Sequence, residues 1–153
     1  MTAPENVRPP SSMVLLSRLT KQVFRRSNEQ LLGMHLRHLM ALSYVRDHES
    51  TQQQELGEAF CMDANNIVLL LNELEQLGYV VRRRDPEDRR RHLVDLTAKG
   101  RRALVKAERS QESIEDDVLR GLDAAERAIL HQLLLRALRE AEPVELENSV
   151  TLG

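Results

Sequence analysis

Six arginines stand in two blocks, Arg82-Arg83-Arg84 and Arg89-Arg90-Arg91, separated by Asp85-Pro86-Glu87-Asp88. Each guanidinium is a permanent cation with a rigid fork of donors suited to phosphate and carboxylate oxygens. Tyr79 to Arg83 has strand composition, Asp85 to Asp88 is turn chemistry, and His92 to Leu96 alternates as a returning strand. A short ribbon with so many guanidiniums has little internal reason to exist. It suits a polyanion, and an arginine at its tip suits the narrow, electronegative minor groove of duplex DNA. Asp88 fits a carboxylate that holds a neighbouring guanidinium in one rotamer, lowering the entropy lost on insertion. The candidate contacts are Arg82, Arg84, Asp88, Arg89, Arg90 and Arg91. The competing reading is a solvated charge run.

The segment just upstream supplies a different chemistry. Asp63 is a good N-cap for a helix to about Leu77, with Gly78 as its left-handed stop. Winding that helix at about 100° per residue puts Ile67, Leu70, Leu71 and Leu74 on one face, which must be core. Asn65, Leu69, Asn72 and Gln76 fall on the opposite face, flanked by Val68 and Glu73. Amides make paired hydrogen bonds to adenine, and an apolar side chain packs against a thymine methyl. Candidate base or backbone contacts are therefore Asp63, Asn65, Asn66, Val68, Leu69 and Asn72. The plainer alternative is that Asn65 and Asn66 are simply favourable at a helix start. Before this helix, Thr51 to Phe60 reads as a shorter one, with Thr51 and Gln54 matching a capping box and Cys61-Met62 forming the turn. Two helices joined by a tight turn are the helix-turn-helix pattern, and Thr51, Gln52 and Gln53 would meet DNA from the first of them.

The rest of the chain must position these parts. With 153 residues it is long enough for a real core. Charged residues are frequent, aromatics scarce and tryptophan absent, which favours a helical protein over a sandwich or barrel. The net charge of −2 is unevenly spread. From Arg82 to Arg102 eight arginines and one lysine face four acids, a net +5, whereas from Glu108 to Glu147 eleven acids face five arginines, a net −6. A single cysteine excludes an intrachain disulfide framework and fits a reducing compartment. No apolar run is long enough to cross a bilayer and no signal peptide is visible, so a cytoplasmic location is expected.

The expected organisation is mainly α with a small β-hairpin (α+β). A polar, proline-rich tail covers 1–12. Helices follow at about Met13 to Leu32 and His35 to Asp47, with Gly33 between them and His48 to Ser50 as a short connection. After the hairpin, Thr97 caps a long helix to about Arg120, Gly121 breaks it, and Asp123 with Glu126 opens a last helix ending near Ala141 before Pro143. Residues 143–153 read as a loose acidic tail.

At this point the chain resembles a known family. The segment DPEDRRRHLVDLTAKG, with Asp88-Arg89-Arg90, Leu96, Thr97 and Gly100, is similar to the wing of the MarR family of bacterial winged helix-turn-helix regulators. TQQQELGEAF, NELEQLG and YVVRRR fit the same pattern, and the resemblance runs from about Leu15 to Leu138. It implies a single domain over 13–142, in which helices at 13–32 and 98–141 interlock a homodimer and a winged helix-turn-helix at about 35–97 binds double-stranded DNA. It also implies a sequence-specific transcriptional regulator, typically a repressor, with recognition helices in successive major grooves of a pseudo-palindromic operator. Arg90 would be the minor-groove arginine and Asp88 the acid that holds it. Relatives often carry a Ser or Thr and an Arg where this chain has Val68 and Leu69, which shifts weight to Asn65, Asn66, Asn72 and the wing and suggests a shape-dependent, A·T-favouring site.

Such regulators commonly answer to a small anionic or phenolic effector held between the dimer helices and the DNA-binding lobe. The resemblance places Arg18, Phe24, His35, His38 and Tyr44 around that cleft. His35 and His38 lie on one helix side, but two histidines without a third ligand do not make a metal site, and neither a metal nor a cofactor is implied. Cys61 is expected to be buried and inert. No phosphate loop, nucleophile elbow or metal motif is present, so an enzyme is not expected. The alternative from another class is a non-DNA helical dimer that meets an acidic partner as an interaction or scaffold module.

Overall fold

The computed structural model describes residues 8–141. The expected tail therefore lies outside the described residues over 1–7, as does the acidic tail at 143–153. Ser11 accepts the amide of Val14 at 3.3 Å and caps α1, Ser12–Arg26. The long first helix expected to Leu32 is broken. Asn28 is extended, and its side-chain oxygen accepts the amide of Leu31 at 2.8 Å, capping a separate turn, α2, Glu29–Leu32. Asparagine competes locally for backbone hydrogen bonds, and here that competition wins over helix continuation. Gly33 closes α2 in the left-handed region at φ 76°.

Helix α3, Leu36–Asp47, starts one residue later than expected because His35 is its extended N-cap. Thr51–Gln52 then forms strand β1 rather than a helix start. The capping box falls on Gln52 and Glu55, not on Thr51 and Gln54, and it opens α4, Gln53–Ala59. Thr51 is instead fully buried, its hydroxyl donating to the carbonyl of His48 at 2.6 Å. Pairing of β1 to the hairpin turns this side chain inward.

The turn after α4 places Cys61 in the left-handed region at φ 53°. Cys61 is exposed, which corrects the expectation of a buried thiol. At Gly57, where the two helices meet, a Cβ would make ordinary contact with the side chain of Ile67 at 3.7 Å. Asp63 caps α5, Ala64–Gln76, by accepting the amide of Asn66 at 2.8 Å. Its buried residues are the expected four, Ile67, Leu70, Leu71 and Leu74.

The hairpin pairs β2, Val80–Arg84, with β3, His92–Leu96, and β1 adds to the outer side of β3, so the antiparallel sheet runs β1-β3-β2. Val80 opposes Leu96 and Arg84 opposes His92, while Thr51 opposes Val94. Thr97 starts α6, Ala98–Val118, accepting the amide of Gly100 at 2.9 Å and donating to the carbonyl of Gly78 at 2.6 Å. The Asp123–Glu126 capping box opens α7, Ala124–Ala141, as expected.

The core joins Leu32, Met34, the inner face of α3, Leu56, the four residues of α5, Val80, Val94, and Leu104, Ala107 and Ile114 of α6. Helices α1 and α7 contribute no buried residue. Leu15, Leu16 and Leu19 on α1 and Ile129, Leu133, Leu134 and Leu138 on α7 are all exposed. Among the described residues no helix is long and apolar enough to cross a membrane.

Candidate nucleic-acid interface

Helix α5 presents Asn65, Leu69, Asn72 and Gln76 on its outer face, as the winding predicts. Leu69 is 59 % exposed and Val68 is half-buried at the edge. Asn66 is exposed but not free: its side-chain amide donates to the second carboxylate oxygen of Asp63 at 3.2 Å. Asp63 and Asn66 thus form one cap unit, and Asn65 is the unencumbered amide at the helix start. Along the outer face there is no basic residue.

Of the three residues expected to meet DNA from the preceding helix, Thr51 cannot reach a ligand because it is buried. Gln52 is half-buried and engaged in the capping box, and the side-chain oxygen of Gln53 is buried with no hydrogen-bond partner in the structure. This edge is a support for α5 more than a contact surface.

The wing tip is closed by local bonds. The Asp85 amide donates to the Arg91 carbonyl at 3.0 Å, and the Arg91 amide to the Asp88 carbonyl at 2.9 Å. Asp88 receives both the backbone amide and the Nε of Arg90, at 3.1 and 3.2 Å, and the Nε of Arg91 lies 3.5 Å from its other oxygen. Hydrogen bonds from Arg90 hold the Asp88 carboxyl below the ordinary carboxylate range and push the Arg90 guanidinium up. The Arg90 side chain is nonetheless 91 % exposed. Asp88 thus holds one edge of the guanidinium, through Nε and, at 3.4 Å, Nη2, and leaves the opposite edge in solvent, which suits a group meant to enter something outside the fold.

The other wing arginines divide. Arg84 donates to the carbonyl of Arg89 at 3.0 Å and braces the loop, and Arg83 pairs with Asp95 across the strands. Arg82 turns back onto α5, where it bonds Glu75 and the amide oxygen of Asn72. Arg89 and Arg91 are exposed. Sequence reasoning missed Glu75 and the turning back of Arg82; the seven-residue gap between them became a contact only through the return at Gly78.

It also missed how α5 is held from behind. Glu73 bonds buried His38 at 2.8 Å and Arg37 at 2.9 Å, both from α3. The His38 bond, followed by the charge of Arg37, draws the Glu73 carboxyl below its ordinary range. A carboxylate with a depressed folded value stabilises the fold above its unfolded value and loses that contribution as pH falls through the folded one. Glu73→Gln is therefore expected to lower the thermal midpoint at neutral pH. In a pH series of thermal melts, the gap from the parent protein closes below the ordinary carboxylate range.

The five residues suggested for an effector cleft do not converge. His35 and His38 line a cavity of about 350 Å³ beside Glu73 and Tyr79. Tyr44 lines another, of about 520 Å³, between α3, α4 and α7, with His48, Phe60, Leu135 and Arg139. Arg18 and Phe24 are exposed on α1 and line neither.

Comparison with known proteins agrees with this geometry. The sequence model of the MarR family matches residues 32–91. An uncharacterised HTH-type transcriptional regulator of Bacillus cereus is 31% identical over 137 residues, covering 86% of this chain and 89% of that protein. A Thauera aromatica protein described as a putative transcriptional regulatory protein for the hcr operon is 33% identical over 99 residues, 65% of this chain and 60% of its own length. Among solved structures, one of MarR superimposes with TM-score 0.73 at 25% identity, covering 92% of this chain and 95% of that one. A mutant MarR of E. coli, complexed with operator DNA, gives TM-score 0.68 at 25% identity, with coverage of 82% and 92%. CouR of Rhodococcus jostii RHA1, bound to p-coumaroyl-CoA, gives TM-score 0.68 at 29% identity, with coverage of 87% and 93%. With its helix-turn-helix, its three-stranded wing and these relatives, the chain belongs to the MarR family of transcriptional regulators, which are not enzymes.

Proposed function

We propose that this regulator is a cytoplasmic homodimeric repressor that binds a pseudo-palindromic operator in double-stranded DNA. Helix α5 enters the major groove with Asn65, Leu69 and Asn72 outward, and the wing carries Arg90 into the flanking minor groove. The observation that carries this reading is the Asp88–Arg90 unit, a guanidinium held along one edge and 91 % exposed at the tip of a hairpin. The operator complex of the E. coli relative supports the DNA partner. The unpartnered apolar faces of α1 and α7 support pairing with a second copy. A small-molecule effector belongs to the same reading, supported by the p-coumaroyl-CoA bound to CouR, with the cavity lined by Tyr44, Phe60 and Arg139 as its candidate place.

The test is binding to duplexes recovered from a random library. Arg90→Ala is expected to weaken the selected duplex on the order of tenfold to a hundredfold. The log–log slope of affinity against salt becomes shallower by roughly one per subunit. Unchanged affinity and slope would sink the wing assignment. Absence of any retardation at low salt would instead favour a protein-interaction module.

A further inference from the structure

Arg82 belongs by position to the wing cations, yet its side chain is only 21 % exposed and points away from the wing tip. Its Nε bonds Glu75 and its Nη2 bonds the side-chain oxygen of Asn72, two residues three apart on α5. Asn72 itself is exposed on the outward face that also carries Asn65 and Leu69. The guanidinium has donors only, so whichever amide atom faces it must be the oxygen. The amide nitrogen of Asn72 is then the group left to face outward.

That orientation has a consequence for base reading. Paired recognition of adenine needs the oxygen and the nitrogen of one amide together against the base edge. With its oxygen held by Arg82, Asn72 offers a donor. In the major groove a donor suits guanine N7 or O6, adenine N7 and thymine O4, and it is opposed by cytosine, which presents only its amino group. We propose that Arg82 is a positioning residue that fixes Asn72 as a hydrogen-bond donor, so that each α5 selects against cytosine at the base Asn72 meets. The inference rests on the DNA-binding reading given above. Lysine cannot replace Arg82 here, because a single ammonium lacks the planar fork that spans Glu75 and Asn72 at once.

The experiment is selection from a random duplex library with the full-length parent chain, Asn72→Ala, Arg82→Lys, Glu75→Gln and the double variant Asn72→Ala/Arg82→Lys. The parent motif is expected to show one pair per half-site where one of the two G·C orientations, the one that puts cytosine against Asn72, is disfavoured roughly tenfold. Asn72→Ala and Arg82→Lys both flatten that position and leave the others intact, and the double variant is no flatter than Asn72→Ala alone. Glu75→Gln, which leaves Arg82 in place without its charged anchor, flattens it partly and serves if Arg82→Lys does not fold. A motif that keeps this pair in Arg82→Lys, or in Glu75→Gln when Arg82→Lys does not fold, overturns the positioning role, as does equal tolerance of both G·C orientations at the pair Asn72→Ala affects. An Arg82→Lys variant that weakens every duplex equally overturns it too, making Arg82 a phosphate contact and leaving the DNA reading standing. Failure of the parent chain to enrich any duplex overturns the DNA reading and the positioning role with it.

Discussion

Gly100→Ala is expected to be the most damaging small substitution in the chain. A Cβ at this position would lie 2.1 Å from the carbonyl oxygen of Tyr79 and 2.8 Å from its carbon. Both are backbone atoms, so no rotamer change relieves the overlap. The same carbonyl accepts the amide of Thr97 at 3.0 Å, and Thr97 ties Gly78 to the first turn of α6. Moving Tyr79 therefore disturbs the exit of α5, the start of β2 and the start of α6 together. The cost is about 3 kcal/mol or more, at the upper end for overpacking because the obstacle is main chain. For a protein of this size that lowers the melting midpoint by roughly 6–12 °C, measurable by calorimetry or circular dichroism. A midpoint within a degree or two of the parent would show that the junction yields, contrary to this account.

Placing a charge on the outer face of α7 is expected to weaken specific DNA binding strongly without touching a residue of α5 or the wing. Leu133 is 47 % exposed on a helix with no buried residue, alongside Ile129, Leu134 and Leu138. The exposed leucines of α1 extend the same apolar surface. Leu133→Asp buries no charge in the single chain, so the lobe keeps its fold. In a paired assembly the carboxylate would be desolvated without a partner. Analytical ultracentrifugation is expected to show monomer for the variant and dimer for the parent chain. Affinity for a two-half-site operator falls by on the order of a hundredfold or more, since linkage of the two lobes is lost. A variant that remains dimeric places the interface elsewhere. One that becomes monomeric yet binds as tightly as the parent shows that a single lobe suffices.

Much of this is legible in the residues alone. The inward face of α5 follows from the spacing of Ile67, Leu70, Leu71 and Leu74, and its limits from Asp63 and Gly78. Alternation in His92 to Leu96 and the Asp85–Asp88 turn point to the hairpin, and the Asp88–Arg90 contact matches the role the resemblance implies. What stays hidden depends on tertiary return. Thr51 is buried because β1 adds to β3, a pairing two residues long that no periodicity announces. Arg82 meets Glu75 and Asn72 only because the chain doubles back after Gly78. Asn28 breaks the first helix through one side-chain bond, a competition that propensity alone does not decide. The effector residues were grouped by analogy, and packing divides them between two cavities and an open helix face.

The absence of any cation on the outward face of α5 reaches beyond the bound complex. Charge-driven attachment to duplex of any sequence is then the task of the hairpin and its neighbours, while the helix contributes short-ranged contacts that act only at close fit. On the proposed reading, such a protein would hold duplex of any sequence mainly through one element and inspect it mainly with another. Its dwell time on random sequence would then follow the ionic strength of the cell more steeply than its choice of address does.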